Sequence, residues 1–168
     1  TVAVQERQLG TGHAVRCGLD ALPPGITGPV LVTYGDVPLL GADTLAALLA
    51  EHTASGAAVT LVTTELADPT GYGRVLRETD GTVTRIVEQA DATAEQLAVR
   101  EVNSGVYAFD GAFLEEGLGR LSTSNNQGEL YLTDLVKYVS LLGVRARRNL
   151  DDSVALRGET VFGQLGCA

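Results

Sequence analysis

Cysteines, basic residues and long apolar runs are all scarce in this chain, and each shortage excludes something. Only two cysteines occur in 168 residues, Cys17 and Cys167. They lie at opposite ends and match no metal or redox spacing, so reduced thiols and a cytoplasmic setting are expected. Lysine and arginine together number 12 against 21 aspartates and glutamates, for a net charge of −9. That balance argues against nucleic acid or an anionic membrane as partner. No apolar run approaches the roughly 18 residues that a membrane span needs. No basic-then-apolar leader opens the chain, so no secretory signal is expected. Internal repeats and low-complexity tracts are also missing. What remains is 45% hydrophobic and 20% charged, with 20 glycines. This is the profile of a turn-rich globular protein, a single domain over 1–168 large enough to bury a core. An acidic protein that binds phosphate must do so locally, through a metal, helix N-termini and backbone amides.

The stretch Leu31-Val32-Thr33-Tyr34-Gly35-Asp36-Val37-Pro38 organises the rest. Its apolar start reads as a buried strand over Val30–Tyr34. Gly35 permits a turn or a close approach to a ligand. Asp36 then stands at the carboxyl end of the strand, where open α/β sheets place their sites. A carboxylate there can hold a divalent cation, and it can equally be part of a plain strand-to-loop turn. Upstream, Thr1–Gln5 reads as a strand. Gly10-Thr11-Gly12 precedes an apolar-periodic helix running to Leu22, with Thr11 as N-cap. Such a loop can offer amides to an anion or a uracil edge, or simply be a loop. His13 reads as structural or partly exposed, since nothing pairs it with a nucleophile.

Downstream, a helix begins at Ala42 or Asp43 and reaches His52, read as a helix-end or surface residue. A strand follows over Ala57–Thr64. Strand, helix, strand in this order predicts a right-handed crossover and a parallel sheet. Asp80-Gly81 predicts a hairpin joining Arg74–Glu78 to Thr82–Glu88. Gly71 and Gly73 bracket Tyr72, as a close backbone approach or a glycine-rich corner. Glu88 stands at a strand end, where a lone glutamate is usually solvated. Ala92–Leu97 is a short helix, and Glu101–Phe109 a second strong strand. Asn103 can read a sugar hydroxyl or amide, or lock a bulge beside Gly105. Helices over Gly111–Leu121 and from Asp134 to about Leu142 follow, then an arginine-rich strand at Val144–Leu150. Asp151–Ala168 shows little periodicity.

Taken in order, six segments carry a resemblance: 8–14 (QLGTGHA), 34–39 (YGDVPL), 68–74 (DPTGYGR), 86–89 (IVEQ), 101–109 (EVNSGVYAF) and 129–134 (ELYLTD). As a set they resemble the uridylyltransferase domain of the bacterial bifunctional N-acetylglucosamine-1-phosphate uridylyltransferase / glucosamine-1-phosphate acetyltransferase family, of actinobacterial type, over roughly residues 1–153. The resemblance implies an α/β, Rossmann-like nucleotidyltransferase fold with a mixed, mainly parallel central sheet. It implies the reaction of UTP with N-acetylglucosamine 1-phosphate, with Mg2+ as cofactor, giving UDP-N-acetylglucosamine and pyrophosphate for peptidoglycan synthesis. It also implies roles for single residues. Gln5, Gly10 and Thr11 match the uracil-contacting positions, and Tyr34 and Gly35 line the sugar and phosphate path. Asp36 matches the magnesium ligand and catalytic position. Gly73, Glu88 and Asn103 match the sugar-binding positions. Tyr131 and Thr133 match the pocket wall near the acetamido group and phosphate. A homotrimer is expected of the full-length family member.

Two departures stand beside the resemblance. The family begins with a strand and a glycine-rich loop, bearing an arginine and a lysine for the triphosphate, that has no counterpart in 1–168; the acetyltransferase half has none either. In the tail 151–168, the family's second metal ligand is an asparagine, whereas Arg157–Gly163 contains none and offers only Glu159 or Thr160. Three readings follow: a uridylyltransferase domain inactive or active at this length, a nucleotidyltransferase of other specificity, and a non-catalytic nucleotide-sugar-binding fragment.

Overall fold

The computed structural model describes residues 1–37 and 39–141. The expected Val144–Leu150 strand, the 151–168 tail with Glu159 and Thr160, and Cys167 lie outside the described residues. In order the elements are α1 (Thr11–Asp20), β1 (Pro29–Val32), α2 (Ala42–Ser55), β2 (Val59–Glu65), β3 (Arg74–Arg77) and β4 (Val83–Val87). A 3-10 turn (Gln89–Asp91), α3 (Ala94–Leu97), β5 (Glu101–Asp110), α4 (Gly111–Leu118) and α5 (Asp134–Leu141) follow.

The sheet is organised by β5, the longest strand and the most deeply buried. β2 pairs along one edge of it, from Val59↔Phe109 to Glu65↔Glu101, with an irregularity between Leu61 and Thr63. β1 and β3 share the other edge end to end. β1 pairs at Val32↔Tyr107 and above, β3 at Arg74↔Val102, and β4 extends the sheet from β3. Every ladder among the described residues is antiparallel. This corrects the mainly parallel sheet. β1 and β2 do run in the same direction through α2, but β5 lies between them and opposes both.

Helices cover both faces, because alternate residues of β5 point to opposite sides. Val106 and Ala108 pack with Leu48 and Leu45 of α2. Tyr107 and Phe109 pack with Leu114 and Leu118 of α4, and Leu135, Val136 and Val139 of α5. Val15 and Leu19 of α1 complete that layer.

Several local expectations hold and others do not. Gly81, at φ 86°, makes the β3–β4 hairpin, and Asp80 Oδ1 accepts from Thr82 N at 2.8 Å. Thr1–Gln5 forms no strand: Val2 and Val4 are 90% and 74% exposed. No neighbouring strand meets it among the described residues, and an unpaired segment gains nothing from extended propensity alone. β1 stops at Val32 and is half-buried, not buried, with one edge paired among the described residues. His52 is not a surface residue. It is buried under β2, with Nδ1 at 3.0 Å from Thr60 Oγ1, and desolvation lowers its pKa against the opposing pull of Asp110.

Candidate active site

The fork where β1 ends and β3 begins on one edge of β5 gathers most of the expected site residues. Carried past Val32, the β1 register brings Tyr34 opposite Gly105. A Cβ at Gly105 would lie 2.1 Å from Tyr34 Cε2, so the ring fills the space that glycine leaves. Gly105 has φ 77°, which any other residue would adopt at a cost. Gly35 and Asp36 then turn away from the sheet, and Asp36 is exposed.

Gly73, Glu88 and Asn103 form one row across three strands. Gly73 precedes Arg74, whose register partners are Val87 on β4 and Val102 on β5. The next step of each ladder reaches Glu88 and Asn103, and Asn103 N donates to Gly73 O at 2.9 Å. A Cβ at Gly73 would meet Glu88 Oε2 at 3.2 Å, so the absent side chain admits the carboxylate. Asn103 is 8% exposed and accepts from Gly105 N through Oδ1 at 3.2 Å. It therefore locks the bulge, one of its two sequence readings.

Glu88 is half-buried instead of solvated, and Thr133 Oγ1 donates to its Oε1 at 2.9 Å. Desolvation raises its pKa, the Thr133 hydroxyl opposes this, and the Asp134 and Asp91 carboxylates add to the rise. Tyr131, beside Thr133, is 7% exposed and donates to Gln127 Oε1 at 2.8 Å. Its phenol is pushed up to about 12, first by desolvation and then by Asp91.

A carboxylic acid whose folded pKa lies above its unfolded value destabilises the fold once pH rises past the unfolded value. Below that value the penalty is absent. Glu88→Gln removes the charge and keeps an oxygen for Thr133. The variant should therefore unfold at a higher temperature than wild type at pH 7, with the gap closing as pH falls toward about 4. Thermal melts across that range check this; an equal or lower midpoint at pH 7 overturns it.

Gln5, Gly10 and Thr11 form a second group, docked on the segment that leads to Thr133. Gly12 N donates to Leu130 O at 2.8 Å, and Leu130 N to Leu9 O at 2.8 Å. Thr11 is not the N-cap: Gly10 holds that position, at φ 104°. The Thr11 hydroxyl accepts from Leu132 N at 3.0 Å, since the docked 129–132 segment offers an amide there. Gln5 Nε2 donates to Gly10 O at 3.1 Å and lies 2.9 Å from His13 Nδ1. His13 is half-buried and tied to Gln5, and, against the sequence reading, the Cys17 thiol one turn on lies 3.8 Å from its Nε2.

Asp36 joins these groups only at a distance, through the electrostatic influence that it and Glu88 exert on Tyr34, whose pKa is raised mainly by desolvation. Among the described residues no cluster of three or more His, Cys, Asp or Glu could hold a metal. A cleft of 330 Å³ lined by Arg16, Leu19, Ile26 and Leu118 lies between α1 and α4, apart from all of these residues.

Three participants carried no role in the sequence reading. Tyr107, in an apolar strand, reads as core. Asp91 accepts from Asn126 N at 2.9 Å and ties the 122–128 loop to the 3-10 turn. Arg74 is 2% exposed and donates to Tyr72 O and, at 3.4 Å, to Gln89 Oε1, fastening the 68–72 loop beside Gly73. Nothing in their spacing distinguishes them from ordinary core or surface residues.

Residues 1–146 match the family model described as Nucleotidyl transferase. The chain belongs to the nucleotidyl transferase family. It is 57% identical over 158 residues to the bifunctional protein GlmU of Mycolicibacterium vanbaalenii, covering 94% of this chain and 32% of that protein. The bifunctional protein GlmU of Kineococcus radiotolerans is 58% identical over 165 residues, covering 98% of this chain and 33% of its own length. The chain therefore spans about a third of the curated relatives it matches. A crystal structure of UDP-glucose pyrophosphorylase with UDP-glucose superposes with TM-score 0.63 at 17% identity, over 84% of this chain and 54% of that one. At that identity the likeness is one of fold, and it agrees with a nucleotidyl transferase α/β architecture. No described helix is long and apolar enough to cross a membrane.

Proposed function

We propose that the chain carries the sugar-phosphate side of a uridylyl transfer, from UTP to N-acetylglucosamine 1-phosphate, giving UDP-N-acetylglucosamine and pyrophosphate. The observation that supports this most is the Asn103–Gly73–Glu88 row, with Thr133 behind Glu88 and Tyr34 across the fork. A carboxylate, a carboxamide and a glycine-lined gap suit a polyhydroxylated ligand, offering both donors and acceptors. In the reaction a phosphate oxygen of the sugar phosphate bonds to the α-phosphorus of UTP, and the bond to the pyrophosphate oxygen breaks. No protein nucleophile is needed; alignment and charge neutralisation are. Glu88, Asn103, Tyr131 and Thr133 would orient the sugar. Tyr34 and Gly35 would flank the phosphate path, and Gln5, Gly10 and Thr11 the base.

Asp36 would hold Mg2+. A lone exposed carboxylate fits that ion, which keeps several waters and takes its other ligands from substrate phosphates. When bound, the ion neutralises charge on the transferring phosphates. We place the reaction in the cytoplasm, and expect a homotrimer for a longer chain of the bifunctional kind. The test is pyrophosphate release from UTP and N-acetylglucosamine 1-phosphate with and without Mg2+. A preference for glucose 1-phosphate would overturn the sugar assignment.

Asn103→Ala should raise the KM for the sugar phosphate or lower kcat, by roughly tenfold, while UTP affinity is kept. An equal loss of UTP affinity would remove Asn103 from the sugar side. A second reading, a nucleotide-sugar-binding module without turnover, is favoured by one feature: none of the proposed site residues is a lysine or arginine. Measurable UDP-N-acetylglucosamine affinity with no pyrophosphate release would select it.

A further inference from the structure

Tyr107 presents a problem that its ring does not explain. The residue is fully buried, and its hydroxyl makes no hydrogen bond of normal geometry, although Asn103 and Tyr34 both lie close enough to act on it. Two positions along the same face, Phe109 is equally buried, with ring centroids 5.4 Å apart. The core there accepts a plain phenyl ring, so the hydroxyl itself is the part without a packing role. An unpaired buried hydroxyl weakens a fold, and folded proteins keep few of them.

The surroundings of that hydroxyl are those of the candidate site. Asn103, Gly105 and Tyr107 alternate along β5 and so share one face. Between the outer two lies the gap left by Gly105, filled by the Tyr34 ring. Asn103 and Tyr34 are the weak hydrogen-bonding neighbours of the Tyr107 hydroxyl, with the Glu88 charge acting on it as well. Asn103 uses Oδ1 for Gly105 N, which leaves Nδ2 to turn toward either the phenol or a ligand. Tyr34 is 36% exposed, so its ring spans from the packed face of β5 to solvent. Both neighbours thus connect the buried phenol to the fork, and a shift of either would bring the bond into normal geometry.

We infer that Tyr107 is a positioning residue whose hydrogen bond forms when a sugar nucleotide occupies the fork and orders Asn103 and Tyr34. The phenol then holds the two groups that face the ligand and touches no ligand atom itself. This rests on the function proposed above and adds a residue and a coupling that the resemblance does not supply.

Tyr107→Phe tests it, with UDP-N-acetylglucosamine as the titrated ligand and two readouts, the thermal midpoint of the free protein and the Kd. The free variant should unfold at the same or a higher temperature, because a stranded hydroxyl has been removed. The Kd should rise about fivefold to tenfold, because the bond made on binding is lost. A purely structural hydroxyl would lower midpoint and affinity together, which overturns the inference. An unchanged Kd in the variant, with wild type binding normally, overturns it too and leaves the proposed function standing. A wild type with no affinity removes both. In the double variant Tyr34→Phe/Tyr107→Phe, a Kd equal to that of Tyr107→Phe alone would name Tyr34 as the partner, and additive losses would name Asn103; either supports the coupling.

Discussion

Gly10→Ala should destabilise the protein by about 2–5 kcal/mol, among the largest stability losses expected of any single methyl group in the described chain. Two costs combine. Gly10 sits at φ 104°, where a Cβ is opposed by its own backbone, for about 1–2 kcal/mol. The added Cβ would also stand 2.6 Å from Leu130 O, 2.8 Å from Leu130 N and 2.9 Å from Glu129 Cβ. Two of these atoms are backbone, and both are held by hydrogen bonds of 2.8 Å to Gly12 and Leu9. They cannot retreat without breaking the docking of the 8–14 loop, so crowding adds about 1–3 kcal/mol. For a chain of this size the midpoint should fall by about 5–15 °C in a thermal melt. Gly35→Ala is the control: nothing lies within 4 Å of where its Cβ would stand and its φ is not positive, so its effect should stay within about 0.5 kcal/mol. A Gly10→Ala protein as stable as that control would mean that the loop does not dock on Leu130.

The same residue shows how far sequence reasoning reaches. Gly10-Thr11-Gly12 announces a helix start, and α1 begins there. The cap is misassigned because the competing partner, the Leu132 amide, comes from 121 residues away. Local patterns carry local facts: the Asp80-Gly81 hairpin, the α2 face and the β5 strand are all legible from spacing. Sheet order is not, because strand, helix, strand fixes the direction of β1 and β2 but not the strand inserted between them. Glu88 and His52 fail for one reason. Their burial depends on what covers them, and that is set by Gly73 and Thr133 in one case and by β2 in the other. The site positions themselves came from the resemblance, and the fold supplies what it could not, the row that brings Gly73, Glu88 and Asn103 side by side.

Asp36→Asn separates binding from turnover more sharply than any other change in this site. The amide keeps the size and shape of the carboxylate and loses the charge that would hold a divalent cation. Asp36 is exposed at the turn after β1, so no buried contact is lost with it. Metal-derived stabilisation of phosphate charge is worth several kcal/mol, and each 1.4 kcal/mol is about tenfold in rate. In a chain that turns over, kcat should therefore fall by about 10²-fold or more, read as initial pyrophosphate release across a Mg2+ series. Metal-free affinity for UDP-N-acetylglucosamine should stay near wild type, because Thr133 holds Glu88, and Gly73 and Gly105 hold Asn103, without Asp36. Where turnover is absent, the ratio of UTP affinities with and without Mg2+ serves as the readout, and it should collapse toward one in the variant. Near-normal Mg2+-dependent behaviour in Asp36→Asn would move the metal elsewhere and leave Asp36 as a turn residue. Loss of metal dependence with sugar-nucleotide affinity intact would instead assign the two ends of the fork to two tasks, cation at the end of β1 and sugar at the start of β3.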